Sequence, residues 1–167
     1  LGSSLHNVRA GTIGDCSVYS FNSNKVIAGI NGGGVVLTDN EDIAKRVKMI
    51  RRHGKDKDFS MMGYNSRMYV LNAEIINLRL RHADRNQERR QQIAQEYNTA
   101  FADLPVVTQG MSNGLNHNYH KYVVRFEDKD TRKRVKNAVN ASIHYETPLS
   151  ANSMYDGATM RSDACIA

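Results

Sequence analysis

Two short apolar runs in the first forty residues are separated by a polar turn and a run of glycines. The segments CSVYSF (16–21) and GVVLT (34–38) have the length and the β-branched, aromatic composition of strands. Between them lie Lys25, Gly32 and Gly33, and Gly34 begins the second segment. Glycine has no Cβ atom and accepts tight or positive-φ backbone. The pattern therefore predicts two strands joined by a lysine-bearing turn and a tight connection.

Apolar residues then recur at helical spacing over about 41–53, which predicts an amphipathic helix. Its apolar stripe consists of Ile43, Val47 and Ile50. Either Asp39 or Asn40 can cap the start of this helix, and Gly54 can end it.

A longer helical stretch is predicted over about 68–103, with a break near 84–86. Its apolar face is formed by Leu71, Ile75, Leu78, Ala94, Tyr97 and Phe101. Arginines four residues apart line one side of it, namely Arg81, Arg85 and Arg89. Because Asp84 and Glu88 interrupt this row and no aromatic residues lie between the arginines, the row indicates a solvated helix face rather than a nucleic-acid surface.

The pattern of apolar and polar residues changes near residue 105, after the long helical stretch. Residues 105–118 are predicted to form a loop or domain crossover, and the alternation in HKYVVRFE (120–127) predicts a half-buried strand. A short helix is predicted from 129 to 141, and SIHYETPL (142–149) begins like a strand. The order of elements predicts an α/β fold with a domain boundary near residue 105.

Composition adds few constraints. The chain has 167 residues and a net charge of +6, with 40% hydrophobic residues, so length alone suggests one domain with enough apolar material for a core. Cys16 and Cys165 cannot make a disulfide scaffold, which favours a reducing cytoplasm, and Cys16 is expected to be a core thiol. No apolar run approaches membrane-spanning length, and no export signal pattern is present in the sequence.

Both ends suggest a piece of a longer protein. The chain begins at Leu1 rather than at a methionine, and it ends in DACIA without a capping or tail signal. We therefore expect that the chain is cut at both ends.

Lys25 is the first candidate for chemistry. A lysine held beside a strand end can be desolvated, which lowers its pKa and exposes a nucleophilic amine that can form a Schiff base with a carbonyl or with pyridoxal phosphate. Ser20 and its neighbours Asn22, Ser23 and Asn24 are small donors suited to phosphate oxygens. From these residues alone, a solvated loop lysine among ordinary turn residues remains the alternative.

Two other groups of residues give weaker indications of function. The glycine run matches neither a nucleoside-triphosphate loop nor a dinucleotide-binding fingerprint. Three histidines, His117, His120 and His144, could suggest a metal, but no Cys or carboxylate is placed to complete a site, so no metal is predicted.

Taken together, the ordered motifs resemble the DegT-type sugar aminotransferase family, whose members are fold-type I pyridoxal-phosphate enzymes. The string YSFNSNKVIAGINGGGVVLTD (19–39) is similar to the family's lysine segment, and GYNSRM (63–68) to its "GYNYRM" loop. Further matches are RRHGKDKD, the long stretch LNAEIINLRLRHADRNQERRQQIAQEYN, HKYVVRFED and SIHYETPL. The resemblance covers nearly the whole chain in the family's order.

The resemblance implies a role for each site residue. Lys25 would hold the cofactor as an internal aldimine and act as general base and acid, and Ser20 would bind the cofactor phosphate. Asn65, from the partner subunit of a homodimer, would reach the same phosphate. Arg67, His144 and Tyr145 would contact the substrate.

The resemblance implies transfer of an amino group from L-glutamate to a keto sugar carried on a nucleotide, with no role for nucleic acid or membrane. Residues 1–104 would be the C-terminal part of the large cofactor-binding domain, including a long interdomain helix, and 105–167 the start of the small domain. The family's acidic partner for the pyridine nitrogen and its stacking aromatic would lie upstream of Leu1, so this piece alone is expected to be inactive.

Some departures and alternatives stay open. Ala28 and Gly29 stand where the family usually has two threonines, and Ser142 stands in place of a glycine. Relatives that dehydrate their sugar carry histidine at the lysine position, which Lys25 argues against. The alternatives are a non-catalytic or regulatory relative, an aminotransferase acting on a sugar phosphate or cyclic ketone, and a nucleic-acid-binding module.

Overall fold

The computed structural model describes residues 1–147. The strands in this range are β1 (Ser4–Leu5), β2 (Val8–Arg9), β3 (Ser17–Ser20), β4 (Gly34–Leu37), β5 (Val107–Thr108), β6 (Leu115–Asn116) and β7 (Val124–Arg125). The helices are α1 (Glu41–Ile50), α2 (Val70–Leu80), α3 (Ala83–Ala100) and α4 (Lys129–Ala138). The end of the predicted segment 142–149 and Cys165 lie outside the described residues.

The chain divides into two compact units. Unit one consists of residues 1–95 and 111–121, and unit two consists of 96–110 together with the described residues from 122 onward. No helix within residues 1–147 is long and apolar enough to cross a membrane.

Strands β3 and β4 form an antiparallel pair in unit one, in a register that runs from Ser17 opposite Leu37 to Ser20 opposite Gly34. Both strands were predicted from their apolar runs, and the structure confirms them. The expectation that Cys16 is a core thiol was wrong: Cys16 precedes β3 and is exposed.

A second sheet of unit one was not predicted. It has the strand order β2–β1–β6, and all three strands have only two residues. Ser4 lies opposite Asn116 in this sheet, so residues 111–121 are brought back against the first residues of the chain.

Helix α1 begins where its capping residue predicts. The side chain of Asn40 accepts hydrogen bonds from the backbone N–H groups of Asp42 at 2.9 Å and Ile43 at 3.1 Å.

Helix α1 ends at Ile50, earlier than predicted, and Gly54 follows with a φ of +73°. A Cβ atom at Gly54 would collide with the carbonyl of Met61, so only glycine fits at this position, where the chain after α1 lies against residue 61.

The long predicted helix is divided into α2 and α3 at residues 81–82, slightly before the predicted break. The predicted apolar face was wrong in α2. Leu71 is 75% exposed and Leu78 is 56% exposed, whereas Asn72 and Ile76 are buried. The buried stripe of α2 is therefore displaced by one residue from the most apolar stripe in its sequence.

The core of unit one is small and lies beneath the segment that carries Lys25. Phe21, Ile27 and Ile76 form its buried cluster, with exposed fractions of 7%, 3% and 4%. Three half-buried residues pack against this cluster, namely Val35, Met68 and Ala83.

Unit two is organised by three aromatic rings. Tyr97 stacks on Phe101 with ring centroids 5.7 Å apart, and Tyr122 lies 5.1 Å from Tyr97. The hydroxyl of Tyr122 donates a hydrogen bond of 2.6 Å to Oδ1 of Asn98.

The elements predicted for unit two are longer than those in the structure. The strand expected over 120–127 is reduced to β7, which pairs with β5, and residues 142–147 form no strand. Helix α4 ends at Ala138 rather than 141, while its start is fixed by Asp128, whose carboxylate accepts from the N–H of Thr131 at 2.7 Å.

Candidate active site

Lys25 lies in the connection from β3 to β4, residues 21–33, which we call the lysine loop. Its main chain is closed by Phe21, whose N–H donates to the carbonyl of Gly33 at 2.8 Å and whose carbonyl accepts from the N–H of Gly29 at 2.8 Å. The N–H of Lys25 donates to the carbonyl of Asn22 at 2.9 Å. Lys25 is therefore held on a tight turn inside a closed loop, although its side chain is exposed.

Ser20 stands directly before this turn. Its Oγ accepts a hydrogen bond of 3.3 Å from the N–H of Asn22. The Oδ1 atom of Asn22 in turn accepts from the N–H of Asn24 at 3.4 Å. Because a serine hydroxyl both donates and accepts, Ser20 can still donate its own proton to an anion.

Ser20 and Lys25 open into one concavity of about 310 Å³ in unit one. Its lining consists of Leu1, Val18, Tyr19, Ser20, Phe21, Lys25, Val26, Ile27, Asn118 and His120. The structure thus brings together the lysine and the serine that the sequence singled out.

Asn118 and His120 were missed as members of this site, since His120 was weighed only as a metal ligand. Asn118 Oδ1 accepts a hydrogen bond of 3.1 Å from the N–H of His120, and the N–H of Asn118 donates to Ser3 Oγ at 3.2 Å. The pairing of β1 with β6 carries both residues to the concavity. No local sequence pattern indicates such a long-range pairing.

The electrostatic setting of His120 is positive. Burial, followed by the charges of Lys121, Lys25 and Arg90, lowers the pKa of the His120 imidazole below its ordinary value. The concavity therefore combines an ammonium group, a hydroxyl and an imidazole that favours its neutral form.

Asn65 and Arg67 lie elsewhere in unit one, on the loop that follows α1. Asn65 forms an isolated β-bridge with Arg52, and the N–H of Ser66 donates to the carbonyl of Arg51 at 3.1 Å. Both predicted residues are exposed, and neither is among the residues that line the Lys25 concavity.

His144 and Tyr145 belong to unit two. Their ring centroids are 4.5 Å apart, and both side chains are exposed, Tyr145 by 70%.

The residues around Lys25 fit a small phosphorylated aldehyde. The concavity is at the lower end of the 300–1,000 Å³ that is usual for ligand sites. Lys25 supplies a primary amine for an aldehyde carbon, and Ser20 supplies a hydroxyl donor for phosphate. These are the two groups by which pyridoxal phosphate can be held.

The chain is similar to known proteins over most of its length. The chain is 30% identical over 155 residues to the erythromycin biosynthesis sensory transduction protein EryC1 of Saccharopolyspora erythraea, covering 90% of this chain and 42% of that protein. It is also 30% identical over 157 residues to the dTDP-3-amino-3,4,6-trideoxy-alpha-D-glucose transaminase of Micromonospora megalomicea, covering 87% of this chain and 41% of that protein.

The fold agrees as well. The crystal structure of DesV from S. venezuelae in complex with a ketimine intermediate matches with a TM-score of 0.84 and 27% identity. The match covers 93% of this chain and 43% of DesV, which confirms the expected fold-type I architecture.

The chain spans about two fifths of the length of the curated relatives it matches. A model of the DegT/DnrJ/EryC1/StrS aminotransferase family matches residues 1–166. The chain therefore belongs to the DegT/DnrJ/EryC1/StrS aminotransferase family.

Proposed function

We propose that the protein transfers an amino group from L-glutamate to a keto sugar carried on a nucleotide, using pyridoxal phosphate held at Lys25. The observation that carries the proposal is the common concavity of Lys25 and Ser20, in a chain that belongs to an aminotransferase family. Membership of an aminotransferase family supports dependence on pyridoxal phosphate. The cytoplasm is the proposed location.

Each residue has a defined task in this proposal. When bound, the cofactor supplies the electron sink of the reaction. Nζ of Lys25 would hold the cofactor through its aldehyde carbon, with release of water. Once the amino donor displaces it, Nζ would accept and return the proton that moves during amino transfer. The hydroxyl of Ser20 donates to the cofactor phosphate.

The remaining predicted residues act outside the Lys25 concavity. Asn65 binds the phosphate from a second copy of the chain, which makes the proposed enzyme a homodimer with a shared site. The sugar substrate is contacted by Arg67, His144 and Tyr145. In this assignment residues 1–104 belong to the large domain and 105–167 to the small domain.

The test uses the full-length protein with pyridoxal phosphate and L-glutamate. We expect release of 2-oxoglutarate, followed by appearance of an amino sugar when a nucleotide-linked keto sugar is added, detected by mass spectrometry. Lys25→Ala should abolish both steps. Lys45→Ala removes an exposed lysine on α1 and should leave both unchanged.

A regulatory relative that keeps the fold is the second candidate. One similar protein is named for sensory transduction rather than for catalysis. A protein of this kind would develop no visible absorbance band with pyridoxal phosphate and would release no 2-oxoglutarate, so the same experiment separates the two functions.

A further inference from the structure

Asn72 of α2 is a buried polar residue that hydrogen-bonds the lysine loop. Its side chain is 4% exposed and makes its hydrogen bonds to the main chain of the lysine loop. Oδ1 accepts from the N–H of Ile30 at 2.8 Å and from that of Asn31 at 3.5 Å, and Nδ2 donates to the carbonyl of Gly32 at 2.8 Å. One amide therefore binds three consecutive residues of the loop.

The rest of the same helix face also meets the lysine loop. Ile76, one helical turn after Asn72, lies in the buried cluster with Phe21 and Ile27. Arg79 follows three residues later, and its Nη1 donates to the carbonyl of Ala28. Because residues three and four apart share a helix face, the stripe of Asn72, Ile76 and Arg79 forms a seat for the loop.

The glycines of the loop make room for this contact. A Cβ atom at Gly29 would collide with Oδ1 of Asn72, and Gly29 itself is buried. Gly33 has a φ of +118°, and a Cβ atom there would come within 2.8 Å of Cε of Met68. A side chain at position 29 would therefore not fit between the Asn72 amide and the carbonyl of Gly32.

Hydrogen bonds connect the glycine segment that Asn72 holds to Phe21, which lies at the start of the lysine turn. Both ends of the glycine segment are bonded to the main chain of Phe21, through Gly29 and Gly33. Because Lys25 lies between Phe21 and Gly29, a shift of residues 29–33 would move the base of the lysine turn.

We propose that Asn72 is a positioning residue that fixes the lysine loop and thereby the placement of Lys25 toward the cofactor, an inference that rests on the proposed function. Asn72 is not among the residues that line the Lys25 concavity, and it acts through the main chain of residues 30–32. Misplacement of a reacting group by about 1 Å can lower a rate by about a hundredfold. Loss of the amide should therefore reduce turnover while substrate binding changes little.

The experiment compares three variants of the full-length protein with the wild type. Asn72→Leu keeps the branched shape of the side chain and removes all the amide's hydrogen bonds, and Asn72→Asp keeps the acceptor but places a carboxylate near the carbonyl of Gly32. Asn77→Leu changes an exposed asparagine of the same helix and is the matched control.

Three readouts separate positioning from a merely structural role. They are kcat and KM for L-glutamate, the pH midpoint of the visible band formed with pyridoxal phosphate, and amide hydrogen exchange of residues 28–33. We expect Asn72→Leu to lower kcat about ten- to hundredfold with KM changed less than about threefold, to shift the pH midpoint, and to speed exchange. Asn72→Asp should fall between Asn72→Leu and the wild type, and Asn77→Leu should match the wild type.

Each result has one meaning. If Asn72→Leu folds and its kcat, pH midpoint and exchange equal those of the wild type, the inference is overturned. If Asn72→Leu does not fold, Asn72→Asp decides by the same readouts. If the wild type itself forms no visible band, the proposed function fails and the inference falls with it. If the wild type forms a normal band and Asn72→Leu matches it in kcat, pH midpoint and exchange, the inference alone is overturned.

Discussion

Ile76 of helix α2 and Ile27 of the lysine loop lie in one buried cluster, with exposed fractions of 4% and 3%. The helix that supports the loop and the loop that carries Lys25 therefore share the small hydrophobic core of unit one. This contact links the stability of the unit to the position of its candidate active lysine.

Ile76→Ala should lower the free energy of unfolding by about 2–5 kcal/mol, because it removes buried methylene and methyl groups and leaves a cavity. The measurement is urea denaturation followed by circular dichroism. Glu74→Ala, an exposed change on the same helix, should alter the free energy by less than about 0.5 kcal/mol. Equal losses in the two variants would mean that Ile76 is not part of the core.

Asn40→Ala should destabilise α1 by about 0.5–2 kcal/mol, because the N–H groups of Asp42 and Ile43 lose their acceptor. Denaturation midpoints of the variant and the wild type give the value. Asp39→Ala, one residue earlier, tests which residue is the cap. A larger loss from Asp39→Ala than from Asn40→Ala would contradict the observed cap.

Tyr122→Phe should cost unit two about 0.5–1.5 kcal/mol, because it removes the hydrogen bond from the Tyr122 hydroxyl to Asn98 and keeps the ring. A double-mutant cycle with Asn98→Ala isolates the pair. A coupling energy near zero would show that the two side chains do not interact in solution.

His120 should titrate below its ordinary pKa in an NMR experiment. Lys121→Met and Lys25→Met should both raise this pKa, because each removes a positive charge near the imidazole. The rise should be larger for Lys121→Met, because Lys121 lowers the pKa more than Lys25 does. Since protonation is less favourable in the folded state, stability should fall as the pH drops from the unfolded pKa, about 6.5, through the lower folded one. An unchanged or raised pKa in the wild type would contradict the positive, partly desolvated setting.

Local signals predicted much of the fold. Strands β3 and β4 and the start of α1 follow from short apolar runs and from Asn40, because these elements are set by neighbouring residues. The sequence also singled out Lys25 and Ser20, because the amine and the small hydroxyl and amide residues around it are close neighbours in the chain.

The buried stripe of α2 could not be found in this way. Leu71, Ile75 and Leu78 make the more apolar stripe, yet the loop packs against Asn72 and Ile76. A buried asparagine with main-chain partners is invisible to hydrophobic periodicity, because its burial depends on a loop some forty residues away.

Distant pairing explains the other omissions. Asn118 and His120 reach the Lys25 concavity because β6 pairs with β1, and both of these strands are too short to leave a pattern in the sequence. In the same way, the alternation over 120–127 predicted a longer strand than β7, which pairs only with the two residues of β5.

The claim that Lys25 anchors pyridoxal phosphate has a direct test. Borohydride reduction joins a bound cofactor irreversibly to the amine that holds it, and mass spectrometry of the digested full-length protein locates the label. We predict a label on the peptide that contains Lys25, its loss in Lys25→Ala and its retention in Lys45→Ala. A label on a different lysine, or an unlabelled Lys25 peptide in protein saturated with the cofactor, would contradict the account.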